Sequence, residues 1–423
     1  MGIRNKLKLL IGIFFAICWI INGLFLNAFQ FINYISVRPF SIHLYRKINY
    51  YLIYSSWSQT VALSEWWAKN KLTIYFADQE SHDHFGKEHA LAVMNHKYEI
   101  DWLYTWTLSD KFHCLGSGKC FAKKSLKWIP VVGWGWIFCE MIFLERAWSK
   151  DSLILAQSLD RLLEYWDHIL LLLFAEGTRF TPEKYEASLK FAEEKDLPRL
   201  KHHLLPRPRG FVFTINHVKN KMPAIYNVQL TFKESSPSPT LTSVLKGNSV
   251  HGYFYVERIP MSDIPTSSED DIAKFLYDLY KKKDNLMDYF QENGKFPGIE
   301  VVIPRRKSPL LNSIAWFAVV ISMFCYFMFN LVSSKNYVLL GVFITGFVVA
   351  LLFVLVIIRS TKAKKGSSYG KGKGVSNKSN KNANASGNAP SGPAEQRITN
   401  GALSTSTEHL MNSNNAHETK KDI

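Results

Sequence analysis

The chain has 423 residues, 47% of them apolar, which allows one large globular domain with a sizeable core plus accessory segments. Its formal charge of +16 calls for an acidic partner, whether nucleic acid, anionic lipid or a phosphorylated substrate. The five cysteines (Cys18, Cys114, Cys120, Cys139 and Cys325) form no CxxC pair, which excludes a disulfide framework and a zinc site and suits a reducing compartment.

Residues 9–31 are the first of three stretches with the roughly 20 apolar residues a bilayer-spanning helix needs. Arg4, Lys6 and Lys8 precede them as in a signal peptide, but the stretch is longer than an h-region and no small-residue cleavage site follows. It therefore reads as a retained membrane helix, or as a hairpin in one leaflet, since Asn22-Gly23 interrupts it. Residues 41–304 read as one α/β domain. Residues 91–94 form a short apolar strand after a polar loop, and 101–108 continue as a helix. Residues 129–144 are apolar and carry Trp134 and Trp136, yet Pro130, Gly133 and Gly135 break them; they belong to the core or to a membrane-facing surface. Residues 151–166 place Leu155, Leu159, Leu162 and Leu163 on one helical face, and 169–174 are an uninterrupted buried strand. Further strands are expected at 224–232 and 252–256. An amphipathic helix is expected at 271–289, with Phe275, Leu279, Leu286 and Tyr289 set against Lys281, Lys282 and Lys283. Alternating strands and helices predict an open mixed sheet covered by helices.

Residues 310–332 and 337–358 are a second and third candidate span, joined by Ser333-Ser334-Lys335-Asn336. Arg305, Arg306 and Lys307 precede this pair, Arg359, Lys362, Lys364 and Lys365 follow it, and only Lys335 lies between. That bias puts the central domain and the C-terminus in the cytosol. The first span has basic residues on both sides and carries no such signal. Membrane attachment turns the acidic-partner question towards lipid and away from nucleic acid. From Thr361 the tail is rich in Lys, Gly, Ser and Asn, with ten basic and four acidic groups, and is expected to be disordered. Its last residues, Lys420-Lys421-Asp422-Ile423, resemble a dilysine retrieval signal of endoplasmic-reticulum membrane proteins, read by a retrieval coat; two chance lysines are the bland alternative. The expected organisation is thus a membrane helix or hairpin (1–40), a catalytic domain (41–304), two transmembrane helices (305–360) and a basic tail (361–423).

Asn95-His96-Lys97-Tyr98-Glu99-Ile100-Asp101 lies between a predicted strand and a predicted helix. On a continuous helix, positions five apart point roughly 140° away from each other. His96 must therefore sit in a turn, with Asp101 in the first helical turn, for the carboxylate to reach the imidazole. An aspartate bonded to one ring nitrogen fixes the tautomer and makes the other nitrogen a better general base. Taken alone, a His-x4-Asp spacing arises by chance in many chains. Glu176-Gly177-Thr178-Arg179 comes directly off the strand at 169–174, where residues line a crevice at the carboxyl edge of a sheet. Gly177 permits close backbone approach, Arg179 offers a planar fork for phosphate, and Glu176 is suited to hold a guanidinium or a hydroxyl. The plain alternative is an ion pair at a turn.

A His-x4-Asp box followed roughly eighty residues later by Glu-Gly-Thr-Arg resembles the glycerolipid acyltransferase family. Phe143-Leu144-Glu145-Arg146 and Met222-Pro223-Ala224-Ile225-Tyr226 resemble the family's second and fourth boxes. The sequences LPRPRGF at 205–211 and FPG at 296–298, with the paired late spans, resemble the eukaryotic 1-acylglycerol-3-phosphate acyltransferases of the endoplasmic reticulum. The resemblance implies direct transfer from acyl-CoA to the free hydroxyl of lysophosphatidic acid, with His96 as base and Asp101 as its orienting partner. It makes Glu176, Gly177, Thr178, Arg179, Arg146 and one of Lys123 or Lys124, with Lys123 favoured, substrate-binding, with the two arginines and the lysine at the phosphate. It requires no metal and no cofactor beyond the co-substrate acyl-CoA, and no nucleic acid. A related acceptor, of lysophosphatidylinositol or lysocardiolipin type, and a catalytically silent membrane scaffold are the alternatives.

Three other patterns lead nowhere. Gly366-Ser367-Ser368-Tyr369-Gly370 fits a hydrolase elbow but has no strand before it and no helix after it. His82, His84, His89 and His96 match no metal-site spacing, and nothing beside Cys114, Cys120 or Cys139 lowers a thiol pKa for an acyl-enzyme.

Overall fold

Among the described residues, eight strands form one mixed sheet: β1 (Lys71–Phe76), β2 (Ala90–Met94), β3 (Gly118–Lys123), β4 (Ile142–Leu144), β5 (Leu170–Leu173), β6 (Ala224–Phe232), β7 (His251–Pro260) and β8 (Ile299–Val301). Their order is β4-β3-β5-β2-β6-β7-β1-β8. The first five in that order run parallel; β7 is antiparallel to β6, β1 is parallel to β7, and β8 closes the edge antiparallel. This is a computed structural model, and it describes residues 3–145, 147–233, 237–334 and 337–360, all in one compact unit. Arg146, Lys335, Asn336 and everything from Thr361 on, including Gly366–Gly370, Lys420 and Lys421, lie outside the described residues.

The helices are α1 (Ile3–Ser36), α2 (Ile42–Ala62), α3 (Gln79–His84), α4 (Asp101–Lys111), α5 (Val132–Phe138), α6 (Trp148–Leu163), α7 (Pro182–Glu194), α8 (Pro208–Val218), α9 (Leu241–Leu245), α10 (Glu269–Asn293), α11 (Lys307–Ser334) and α12 (Tyr337–Ser360). Both faces of the sheet are covered, so β2 and β6 are buried at every position. Strand alternation sorts their side chains. Ala90, Ala92, Met94, Val228 and Leu230 pack with Leu103, Tyr104 and Leu108 of α4. Leu91, Val93 and Ile225 pack on the other face with Leu155, Leu159 and Leu162 of α6, Phe211 and Ile215 of α8, and Leu276 and Leu279 of α10. Each fully buried Val, Leu, Ile, Phe or Met among them contributes about 1.5–3 kcal/mol.

The expected strands and helices are present, with two corrections. The Asn22-Gly23 step does not break α1. Asn22 donates to Gln59 (3.0 Å), Gln30 donates to Asn49 (2.9 Å), and Asn33 donates to the Tyr45 carbonyl (3.0 Å), so polar groups join α1 to α2. A Cβ on Gly23 would sit 2.2 Å from Val131 Cγ1, so the glycine serves close packing. On α10, Tyr289 is exposed and Lys283 is fully buried, the reverse of the expected faces. Residues 129–144 are partly core and partly exposed. A γ-turn at Val131 (φ 67°) leads into α5 and then β4; Ile142 and Phe143 are core, whereas Trp134 and Ile137 are exposed.

Leu7–Ser36 and Lys307–Leu331 are long and apolar enough to cross a membrane, and α12 follows α11 as a further apolar helix. α11 docks on α2 through polar contacts: Asn312 donates to the Ser55 carbonyl (2.8 Å) and to Ser58 (2.9 Å), and Trp316 donates to Ser55 (2.8 Å).

Candidate active site

Topology brings the separated motifs together. β2 and β5 are parallel neighbours with Val93 opposite Leu173, so the segments leaving their carboxyl ends, Asn95-His96 and Phe174 to Arg179, emerge side by side. β3 lies next to β5 and ends at Lys123; β4 lies next to β3 and ends at Leu144, just before Glu145. The Met222-Pro223 box is elsewhere. It opens β6 at the amino edge, where Ala224 pairs with Ala90, and its Ala224, Ile225 and Tyr226 are core.

His96 sits in the turn between β2 and α4, and Asp101 is the first residue of α4. The imidazole Nδ1 bonds Asp101 Oδ2 at 3.0 Å, and the same oxygen accepts the Tyr98 amide at 3.0 Å. Because the carboxylate accepts, Nδ1 carries the proton and Nε2 is the basic nitrogen. Burial pushes the Asp101 pKa up, while His96 and the Tyr98 and Lys97 amides pull against that. The turn is held on four sides. The His96 amide donates to Glu176 Oε1 (3.0 Å), and the His96 carbonyl accepts from the Phe180 amide (2.8 Å). The ring stacks on Phe174 (4.1 Å between centroids, 21°), and Asn95 bonds both backbone groups of Leu230 (2.8 and 3.0 Å).

Glu176 accepts from a backbone amide rather than from a guanidinium. It is 1% exposed and its carboxylate grips the backbone of the His96 turn. Burial raises its pKa to about 8, against the His96 and Leu204 amides and the nearby Lys283 charge. Gly177 has φ 69°, and a Cβ there would lie 3.1 Å from Arg207 Cδ. Thr178 Oγ1 and the Arg179 carbonyl both accept from Lys184 Nζ (2.7 and 2.9 Å), tying this loop to α7.

His96, Gly177, Thr178, Arg179 and Lys123 line one cavity of about 1180 Å³. Much of the remaining wall is apolar, including Trp57 of α2, Trp102 and Trp106 of α4, Leu172 of β5, Phe15 of α1 and Phe317 of α11. Arg179 is half-buried there without a salt bridge among the described residues; burial lowers its pKa, and the Glu99 and Asp101 charges oppose that. Of the two candidate lysines, Lys123 lines the cavity, whereas Lys124 is paired with Glu145. Burial pushes the Cys114, Cys120 and Cys139 thiols up to about 12, which disfavours a thiolate nucleophile.

Residues 73–226 match the model of the family described as Acyltransferase, and residues 243–316 match the one described as Acyltransferase C-terminus. Human 1-acyl-sn-glycerol-3-phosphate acyltransferase delta is 40% identical over 365 residues, 86% of this chain and 96% of that protein. The chain belongs to the 1-acyl-sn-glycerol-3-phosphate acyltransferase family. The mouse gamma form is 38% identical over 366 residues, again 86% of this chain and 96% of the relative. The crystal structure of the 1-acyl-sn-glycerophosphate (LPA) acyltransferase PlsC from Thermotoga maritima aligns with a TM-score of 0.43 and 16% identity, covering 68% of this chain and 97% of that one.

In this acyltransferase the stretch matched by the first model contains the His96 turn, Lys123 and the Glu176 to Arg179 loop. Several residues at or beside the site had no role assigned to them from sequence, although Arg207 and Arg209 fall within the LPRPRGF stretch. Arg207 and Arg209, at the start of α8, line the cavity, with Arg209 over the Trp148 ring at 4.5 Å. Lys283 hides inside a lysine run, but its helical phase gives it away: it falls on the stripe formed by Leu276, Leu279, Tyr280, Leu286, Met287 and Phe290.

Proposed function

We propose that the chain transfers the acyl group of acyl-CoA to the sn-2 hydroxyl of 1-acyl-sn-glycerol 3-phosphate, giving phosphatidic acid and CoA. The observation that carries this is the His96–Asp101 bond of 3.0 Å in the wall of an apolar cavity that Arg179 also lines. His96 Nε2 takes the hydroxyl proton as the oxygen attacks the thioester carbonyl carbon. The carbon–sulfur bond then breaks, and the imidazolium returns the proton to the CoA thiolate. Asp101 fixes the tautomer and stabilises the imidazolium between these steps. General-base help of this kind contributes about 10²–10⁴-fold, or roughly 3–5 kcal/mol. Arg179, with Lys123 and Arg146, grips the acceptor phosphate, and the tryptophan-lined part of the cavity takes acyl chain. No metal enters these steps.

The enzyme works at the endoplasmic-reticulum membrane, with the catalytic domain and the C-terminus in the cytosol, and Lys420 and Lys421 engage a retrieval coat. The basic clusters flanking the α11–α12 pair and the dilysine-like terminus support this placement. A panel of lysophospholipid acceptors assayed with oleoyl-CoA fixed tests the reading. Lysophosphatidic acid should be the best acceptor by kcat/KM; preference for an inositol or cardiolipin-type head group would contradict it.

A further inference from the structure

The proposed reaction uses Arg179 and Lys123 at the acceptor phosphate and leaves Arg207 and Arg209 of the same cavity without a ligand. The cavity passes over the carboxyl end of β5. Leu103 of α4 and Leu172 of β5 line it on one face of the sheet, and Leu155 of α6 and Phe211 of α8 line it on the other. At the α6–α8 end its wall carries Trp148, Arg207, Arg209 and Gly210.

These side chains are exposed or half-buried, yet they are placed. The Arg207 amide donates to the Ala175 carbonyl (2.8 Å), and its Cδ lies so close to Gly177 that a Cβ there would come within 3.1 Å. Arg209 lies over the Trp148 ring at 4.5 Å, and Trp148 in turn packs edge-to-face on Phe213 of α8 (5.4 Å, 81°). A guanidinium that stacks through its face keeps its N–H edge for a phosphate. Pro208 opens α8, and Arg207 at its cap makes no side-chain bond to the helix. The amides of Arg209 and Gly210, in the first turn, have no intrahelical acceptor. A Cβ on Gly210 would meet no atom within 4 Å, so there is open space beside that turn. A helix amino terminus adds its own attraction for an anion. Among the described lining residues the only carboxylate is Asp151, and its two oxygens accept the Glu145 and Ala147 amides (2.7 and 2.9 Å).

One acceptor phosphate does not call for this second basic group. The donor does, because CoA carries a diphosphate and a 3′-phosphate at the far end of its pantetheine arm, away from the thioester. We propose that Arg207 and Arg209, with the first turn of α8, bind the nucleotide phosphates of the acyl-CoA donor, and that the pantetheine arm runs from there past Gly177 to His96. The acyl chain then continues beyond His96 into the tryptophan-lined part of the cavity. The proposal rests on acyl-CoA being the donor and His96 the base.

The test compares two donors on the full-length enzyme with lysophosphatidic acid: oleoyl-CoA, and oleoyl-pantetheine, which has the same thioester and no nucleotide. Wild type should favour oleoyl-CoA by about 10²-fold or more in kcat/KM. Arg209→Gln should raise the KM for oleoyl-CoA about ten-fold, keep the KM for lysophosphatidic acid within about two-fold, and cut the preference for oleoyl-CoA over oleoyl-pantetheine about ten-fold. Arg207→Gln combined with Arg209→Gln should abolish most of that preference. No preference in wild type, an equal loss with both donors, an unchanged KM for oleoyl-CoA, or a rise in the KM for lysophosphatidic acid instead would each overturn the proposal. If Arg209→Gln does not fold, Arg209→Lys, which keeps the charge and loses the planar fork, is read the same way with a smaller expected change of about three-fold or more. Wild type that forms no phosphatidic acid from either donor, or His96→Ala that still forms it, would strike at the functional reading instead.

Discussion

Asp101→Asn separates the charge of the orienting group from its shape. Asp101 Oδ2 accepts from both His96 Nδ1 and the Tyr98 amide, each at 3.0 Å. An asparagine keeps both bonds only with its carbonyl oxygen in that place, because the flipped amide would set N–H against the Tyr98 N–H. The backbone therefore pins the amide, and His96 keeps the productive tautomer. What is lost is the negative charge beside the imidazolium that the proposed mechanism forms. Unit charges about 4 Å apart interact by about 4 kcal/mol at an effective dielectric of 20. Partial solvent access at His96, which is 28% exposed, reduces this. The expected outcome is a kcat about 10²–10³-fold below wild type, both KM values within about three-fold, and an unchanged circular dichroism spectrum. The assay is initial-rate CoA release with saturating lysophosphatidic acid. A kcat within about ten-fold of wild type, or a loss that appears in KM, would refute the assignment of Asp101 as stabiliser of a charged His96.

Arg179→Ala should raise the KM for lysophosphatidic acid about 10–100-fold and that for acyl-CoA much less, since a hydrogen bond to a charged group is worth about 1.5–3 kcal/mol; equal effects would contradict its role at the acceptor phosphate. Ser313 is buried on α11 in the cavity wall. Ser313→Trp should shift donor preference from oleoyl-CoA towards octanoyl-CoA by about ten-fold or more in kcat/KM, read in a competition assay. Arg46 is paired with Glu140 at 2.8 Å, with both side chains largely buried. Arg46→Leu leaves that carboxylate unpaired and should cost about 3–5 kcal/mol, seen as a lower Tm in detergent, without changing which acyl-CoA is preferred.

The sheet and the His96 turn were legible because their signals are local. The short apolar run at 169–174, bounded by polar residues, reads as a core strand and forms β5, and a five-residue His–Asp spacing admits contact only through a turn. Partners across the sheet were less legible. Glu176 reads as a ligand for something positive, yet it binds the backbone of His96 eighty residues away, because β5 happens to pair with β2. Lys283 sits among Lys281 and Lys282, and its charge masked the helical phase that buries it. Asn22-Gly23 looked like a break in α1 because sequence alone does not reveal Gln59 and Val131 opposite it. The cavity was invisible in the sequence, since its walls come from α1, α2, α4, β5 and α11.

The proposed role of His96 in acyl transfer from acyl-CoA to lysophosphatidic acid has a direct test. The most direct measurement is product analysis of purified enzyme in phospholipid vesicles with radiolabelled oleoyl-CoA and lysophosphatidic acid. Wild type should form labelled phosphatidic acid with one CoA released per acyl group transferred. His96→Ala, equally folded and membrane-bound, should form none above background. No labelled phosphatidic acid from wild type, or equal amounts from both proteins, would contradict the account.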